Sequence, residues 1–325
     1  MDVRKIIGWG AWAAYLLSAS VVAAEDPAPQ ETMAQKALAR DTVCTVCHNE
    51  SWRVPVLSLY QTRHGNRADP RAPNCQGCHG SSDAHQKDPG GAHPDVVFAT
   101  KSKNVSSLDD RNTTCLTCHQ TDSKRSHWMG STHQSRDVAC VSCHQVHTAH
   151  DDVRDKHTQP DVCFTCHKEQ RTQISKPSHH PIPEGKMGCS DCHNPHGSVG
   201  PKLMKRDSVN ETCYTCHMEK RGPFVHTHEP VAEDCANCHN PHGTTAENLL
   251  KARPPFLCHQ CHTPHGGNIA QLRGQNQPSS LLSGITSGKS GINYTMARGC
   301  VNCHTQVHGT NNPSTTNPTP QFNFR

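Results

Sequence analysis

Short α-helices and irregular loops with almost no strand, wrapped around an extended core that side chains cannot supply, form the fold class this sequence predicts. Three observations predict it. Apolar residues make up 33% of the 325 residues and aromatics 4%, whereas ordinary globular chains are about 45–50% apolar. Glycine and proline, at 22 and 23 residues, interrupt the chain often. Twenty cysteines are spread from Cys44 to Cys303. A polar chain of this kind cannot bury enough surface to offset its conformational entropy, so something other than side chains must fill the interior.

The N-terminus reads as a targeting segment. Arg4 and Lys5 form a basic start, Ile6 to Val22 is apolar, and Val22-Ala23-Ala24 suits signal-peptidase cleavage. Residues 1–24 are therefore expected to be a signal peptide, with 25–325 forming a single elongated domain. As an uncleaved anchor, the apolar run of about 17 residues would be short for a span. Cys44 is the first cysteine of the chain, which argues against a lipid-anchored N-terminus. The formal charge of +4 includes no Lys/Arg run of the kind that tracks phosphates, so nucleic acid is not an expected partner.

Every cysteine belongs to a Cys-x-x-Cys-His motif, and this excludes a disulfide framework. The cysteine pairs are Cys44 and Cys47, Cys75 and Cys78, Cys115 and Cys118, Cys140 and Cys143, Cys163 and Cys166, Cys189 and Cys192, Cys213 and Cys216, Cys235 and Cys238, Cys258 and Cys261, and Cys300 and Cys303. Their histidines are His48, His79, His119, His144, His167, His193, His217, His239, His262 and His304. This is the attachment signature of c-type haem. On one helical turn, positions i, i+3 and i+4 share a face. Two thiols there can bond the vinyl groups while the histidine reaches iron as proximal ligand. Zinc sites use Cys-x-x-Cys too, but they need no histidine after each pair. Ten covalently bound haems are the expected cofactors and the missing core.

Seventeen of the 27 histidines remain after the proximal set, and their placement follows an internal repeat. Cys115, Cys163 and Cys213 open similar segments. Each is followed 15 to 18 residues later by a histidine (His133, His180, His228), then by a second motif. His179 beside His180 and His226 near His228 leave two of these assignments ambiguous. One more histidine, His147, His196 or His242, lies seven residues past that motif's first cysteine. His64 and His85 match loosely in the first part of the chain, and the last part offers His265 and His308. These ten are the distal-ligand candidates, in five two-haem units spanning roughly 41–110, 111–160, 161–210, 211–252 and 253–325. In Cys-His-Asn-Pro-His-Gly at 192–197, Pro195 breaks the helix. His196 is thus expected to serve a neighbouring haem rather than its own. His93, His127, His150, His157, His179, His226 and His259 are left as surface or propionate-contacting residues. Gln86 to Thr114, Gly266 to Gly299 and the tail from Gly309 read as loops.

Two imidazoles on each iron leave no open position, which describes an electron carrier without catalytic residues. The alternatives are a multihaem reductase with one exchangeable haem site, or a free periplasmic electron shuttle. Such a chain is expected to fold only with its haems, as small domains do with structural metals.

The chain resembles the MtrA/DmsE-type periplasmic decahaem cytochromes. The resemblance is carried by Cys189-Ser190-Asp191-Cys192-His193-Asn194-Pro195-His196-Gly197, by Thr212-Cys213-Tyr214-Thr215-Cys216-His217, by Glu219-Lys220-Arg221-Gly222-Pro223 and by Cys300-Val301-Asn302-Cys303-His304-Thr305-Gln306-Val307-His308-Gly309. It implies that the ten distal candidates fall where that family places its ligands. It further implies a periplasmic protein inserted partly into an outer-membrane β-barrel porin. Periplasmic or inner-membrane cytochromes would lie on one side, and an extracellular multihaem cytochrome or extracellular iron on the other. Direction of flow is not encoded, so metal reduction and Fe(II) oxidation are both compatible.

Overall fold

In the computed structural model, residues 33–99, 102–262, 300–302 and 304–311 are described. The predicted signal peptide, His265, Cys303 and the expected loop at 266–299 lie outside them. The α-helices are short: α1 (Met33–Thr45), α2 (Cys75–His79), α3 (Asp83–Lys87), α4 (Leu108–His119), α5 (Gln159–Cys163), α6 (Lys168–Ile174), α7 (Cys189–Cys192), α8 (Val209–Tyr214) and α9 (Glu229–Glu233). Between them run single 3₁₀ turns and loops. Two dipeptide strands, β1 (His226–Thr227) and β2 (Gly309–Thr310), pair antiparallel, with His226 opposite Thr310. No helix of the described residues is long and apolar enough to cross a membrane.

The motifs themselves set the helical pieces. In eight of them the histidine N–H donates to the carbonyl of the first cysteine at 2.8–3.0 Å, closing one turn. The other two motifs lie within α2 and at the end of α4. That turn brings Cys, Cys and His to one face whether the flanking chain is α-helical, as in α7, or 3₁₀, as at Cys140–Ser142 and Cys235–Asn237.

Two expectations need correction. Gln86 to Thr114 is not loop throughout: α3 ends at Lys87 and α4 starts at Leu108. Ser107 caps α4 by accepting the Asp110 N–H at 3.1 Å, and Asp109 and Asp110 sit in its first turn, where acidic groups suit the helix dipole. The tail is not irregular from its start, since Gly309 and Thr310 form β2.

Among the described residues side chains do not make a core: the buried apolar ones are Trp128, Ala139, Phe164, Ile174, Met204, Tyr214 and Ala246, fewer than the buried polar ones. The interior is instead one connected cavity of about 6820 Å³ running the length of the described chain. Shared among ten sites this is about 680 Å³ each, within the roughly 300–1,000 Å³ of a single ligand pocket.

Candidate haem-ligand sites

The described cysteines of the ten motifs line this cavity, and so do all ten proximal histidines and His64, His85, His133, His147, His180, His196, His228, His242 and His308. The thiols show how the motifs follow one another. First cysteines meet in five couples: Cys44 with Cys75, Cys115 with Cys140, Cys163 with Cys189, Cys213 with Cys235, and Cys258 with Cys300. Second cysteines then fall within electrostatic reach across the gaps, Cys78 with Cys118, Cys143 with Cys166, Cys192 with Cys216 and Cys238 with Cys261. The ten motifs form a single row in sequence order. Burial pushes Cys44, Cys78, Cys143, Cys192, Cys238 and Cys258 up, and Cys75 to about 12, while the thiol partner lowers Cys140, Cys189 and Cys235; as thioethers they would not titrate at all.

A buried polar residue ahead of the first motif ties each of the first four couples together. Asp41 Oδ1 accepts the Cys75 N–H at 3.1 Å, Asn112 Oδ1 that of Cys140 at 3.0 Å, and Asn210 Oδ1 that of Cys235 at 2.7 Å. Gln159 Oε1 does the same for Ser190 at 2.9 Å. Sequence reasoning missed these residues, although three of them lie three positions before a motif cysteine.

The histidines meet in nine ring pairs with centres 5.9–6.3 Å apart: His48 with His85, His79 with His147, His119 with His64, His144 with His196, His167 with His133, His193 with His242, His217 with His180, His239 with His308, and His262 with His228. With a metal–imidazole bond of about 2.0 Å and roughly 1.15 Å from nitrogen to ring centre, two rings on one metal ion have centres about 6.3 Å apart. The spacing fits bis-histidine iron. Each pair joins one motif histidine to one distal candidate. His196 stacks on His144, not on His193. Of the two ambiguous neighbours, His180 faces His217, while His179 turns to the Lys176 carbonyl and Glu184.

The pairs interlock. The distal candidate ahead of one unit's second motif reaches forward to the first motif of the next, and the histidine after that next unit's second motif reaches back. His133 and His196 together thus cross the junction between the second and third units, and His180 and His242 the next. Gly197 and Gly243 make the crossing possible. Their φ angles are +111° and +141°, and a Cβ would sit 2.0 Å from the His127 carbonyl oxygen or 2.1 Å from that of Gln173.

The protonation pattern also suits ligation. His79, His85, His133, His180, His193 and His239 hold Nδ1 at 2.7–3.0 Å from the carbonyls of Val96, Ala92, Pro195, Pro241, Lys202 and Asn248. A carbonyl only accepts, so Nδ1 carries the proton and Nε2 keeps its lone pair for a metal. Burial, with help from nearby His144 and Arg125, pushes His196 down to about 4, and burial lowers His64, His147, His193, His242 and His308 too. These rings are neutral at neutral pH, as ligation requires.

The same kind of motif organisation occurs in known proteins. The doubled CXXCH motif family matches residues 179–222 and 228–277, and the cytochrome c-type protein NrfB-like family matches 75–159. A multiheme cytochrome MtrA of Shewanella baltica (strain OS185) is 43% identical over 275 residues, covering 83% of this chain and 78% of that protein.

Proposed function

This chain belongs to the MtrA-type multihaem c-type cytochromes, and from that premise we propose that it holds ten bis-histidine haems in one row and conducts electrons along them across the outer membrane. Electron transfer is its activity and covalently bound haem c its cofactor; one-electron exchange at iron is the chemistry this group supplies. The ten cysteine pairs would hold the haems covalently, and the motif histidines and their ring partners would supply the nitrogens that bind iron. His265, the distal candidate that lies outside the described residues, is left by elimination to serve His304. The carrying observation is the set of nine ring pairs near 6 Å.

The residues then do three things. Backbone carbonyls fix the rings through Nδ1, so the Nε2 lone pairs stay aimed into the cavity. At the nine described pairs two imidazoles would bind one iron, which would leave no position for a substrate and favours a conduit over a reductase. The thiol couples fix the order, first motif to tenth, so that a row rather than a cluster spans the molecule.

On this reading the protein is periplasmic and seated in an outer-membrane β-barrel porin. It links periplasmic or inner-membrane cytochromes with an extracellular multihaem cytochrome or extracellular iron, and the row serves either direction of flow. The test is to purify the native protein from detergent-solubilised outer membranes and weigh both the complex and the chain. Ten haem masses on the chain and a β-barrel in the complex are the expected result. A lone chain in the periplasmic fraction would make it a free shuttle.

A further inference from the structure

The ligand histidines differ in what their Nδ1 touches. His193 and His239 each reach a backbone carbonyl nine residues downstream, Lys202 and Asn248. In the second unit the corresponding loop is shorter, and His144 Nδ1 reaches a carboxylate instead, Asp151 Oδ2 at 2.7 Å. The other oxygen, Oδ1, accepts the Gln145 N–H at 3.1 Å. Both oxygens are thereby engaged, and the mostly buried carboxylate (15% exposed) is held against the ring edge.

We propose that Asp151 is a positioning residue that lowers the reduction potential of the fourth haem, so that one carrier near the middle of the row stays oxidised while its neighbours are reduced. This rests on the pairing of His144 with His196 as ligands of one iron. A full negative charge beside an axial imidazole favours the ferric state, and a carboxylate accepting the ring proton makes the other nitrogen a stronger donor. A neutral carbonyl does this far more weakly. The step concerned is the addition of one electron, supplied by the adjacent carrier.

The third haem's site has no such carboxylate on its motif histidine. The Arg125 guanidinium lies 3.1 Å from His119 Nδ1 and also acts on His196, but its charge is ion-paired with Asp122. The two motifs touch through Cys115 and Cys140, so the second unit places a potential step between adjacent carriers.

The test is a potentiometric titration of the full haem-loaded chain followed by electron paramagnetic resonance, on wild type, D151N, D151E and the exposed control D207N. In D151N one low-spin component should move upward so that its reduced-to-oxidised ratio at fixed potential rises at least tenfold, 59 mV for a one-electron couple. D151E should keep it near the wild-type position, and D207N should move nothing. Ten low-spin haems whose potentials all stay put in D151N would overturn the proposal. So would new high-spin iron in D151N, which would make Asp151 only a support for His144. High-spin iron in the wild type would instead refute the ligand pairing, and this inference with it.

Discussion

Replacing Asp41 by Asn tests how the first two motifs are held together. The Asp41 carboxylate is 1% exposed and accepts from the Cys75 N–H at 3.1 Å and the Tyr60 hydroxyl at 2.9 Å, and it pairs with the Arg67 guanidinium at 2.8 Å. Asn112 and Asn210 make the equivalent cap in later units, so D41N should keep the bond to Cys75. What disappears is the charge facing Arg67, whose side chain is only 7% exposed. Removing one side of a buried ion pair costs about 3–5 kcal/mol. The Pro73 carbonyl at 2.9 Å and the Tyr60 ring, 4.9 Å from the guanidinium carbon, still hold Arg67, which places D41N near the low end, about 3 kcal/mol. An apolar replacement of a whole buried pair is often neutral, so D41N/R67M should recover most of the loss. The assay is reversible guanidinium unfolding of the haem-loaded chain, followed by circular dichroism in the Soret band. A D41N loss below about 1 kcal/mol, or no recovery in the double variant, would refute the reasoning.

Other expectations are more local. H180A should turn one haem in ten high-spin by electron paramagnetic resonance, whereas H179A should turn none, because only His180 faces His217. G197V should loosen the loop carrying His196, since φ is +111° and a side chain would meet the His127 carbonyl; a loss of about 1–3 kcal/mol is expected in the same unfolding assay. Burial first, and the bond to Asp41 second, push the Tyr60 hydroxyl up to about 12 from 10. A raised folded value means that this stabilisation is complete below pH 10 and is lost as pH rises from 10 through about 12. Y60F should flatten that alkaline decline in the unfolding midpoint.

The legible part of this molecule is the part written in covalent spacing. A Cys-x-x-Cys-His run can close one turn with its three side chains on one face, and the structure closes that turn at every motif. The repeat also pointed to candidates for the second nitrogen, most regularly His147, His196 and His242, each seven residues past a second motif's first cysteine. Their pairing was not legible. Partners such as His79 and His147, or His239 and His308, lie in different units, and a regular repeat satisfies own-unit and next-unit assignments equally well. Only the Pro195 turn hinted that His196 looks away from its own motif. The polar ties were concealed for a different reason. Asp41, Asn112 and Asn210 share a register, but the third unit shifts the role to Gln159 ahead of Pro160, and Pro255 stands at that register before Cys258. The start of α4 was hidden inside a motif-free stretch, where Ser107 and two aspartates were the cues.

The ring planes add a finer expectation. Second-motif pairs are near parallel, at 8–20°, while first-motif pairs range from 27° to 90°. Electron paramagnetic resonance of the fully oxidised, haem-loaded protein reads this pairing of histidines on iron. Essentially all iron should be low-spin, in two families of signal. Parallel imidazoles would give the rhombic family, and the crossed pairs His119 with His64 and His167 with His133 the strongly anisotropic one. High-spin ferric iron that shifts on adding nitrite or cyanide would contradict that pairing, since an open coordination site would then exist where the structure pairs two rings.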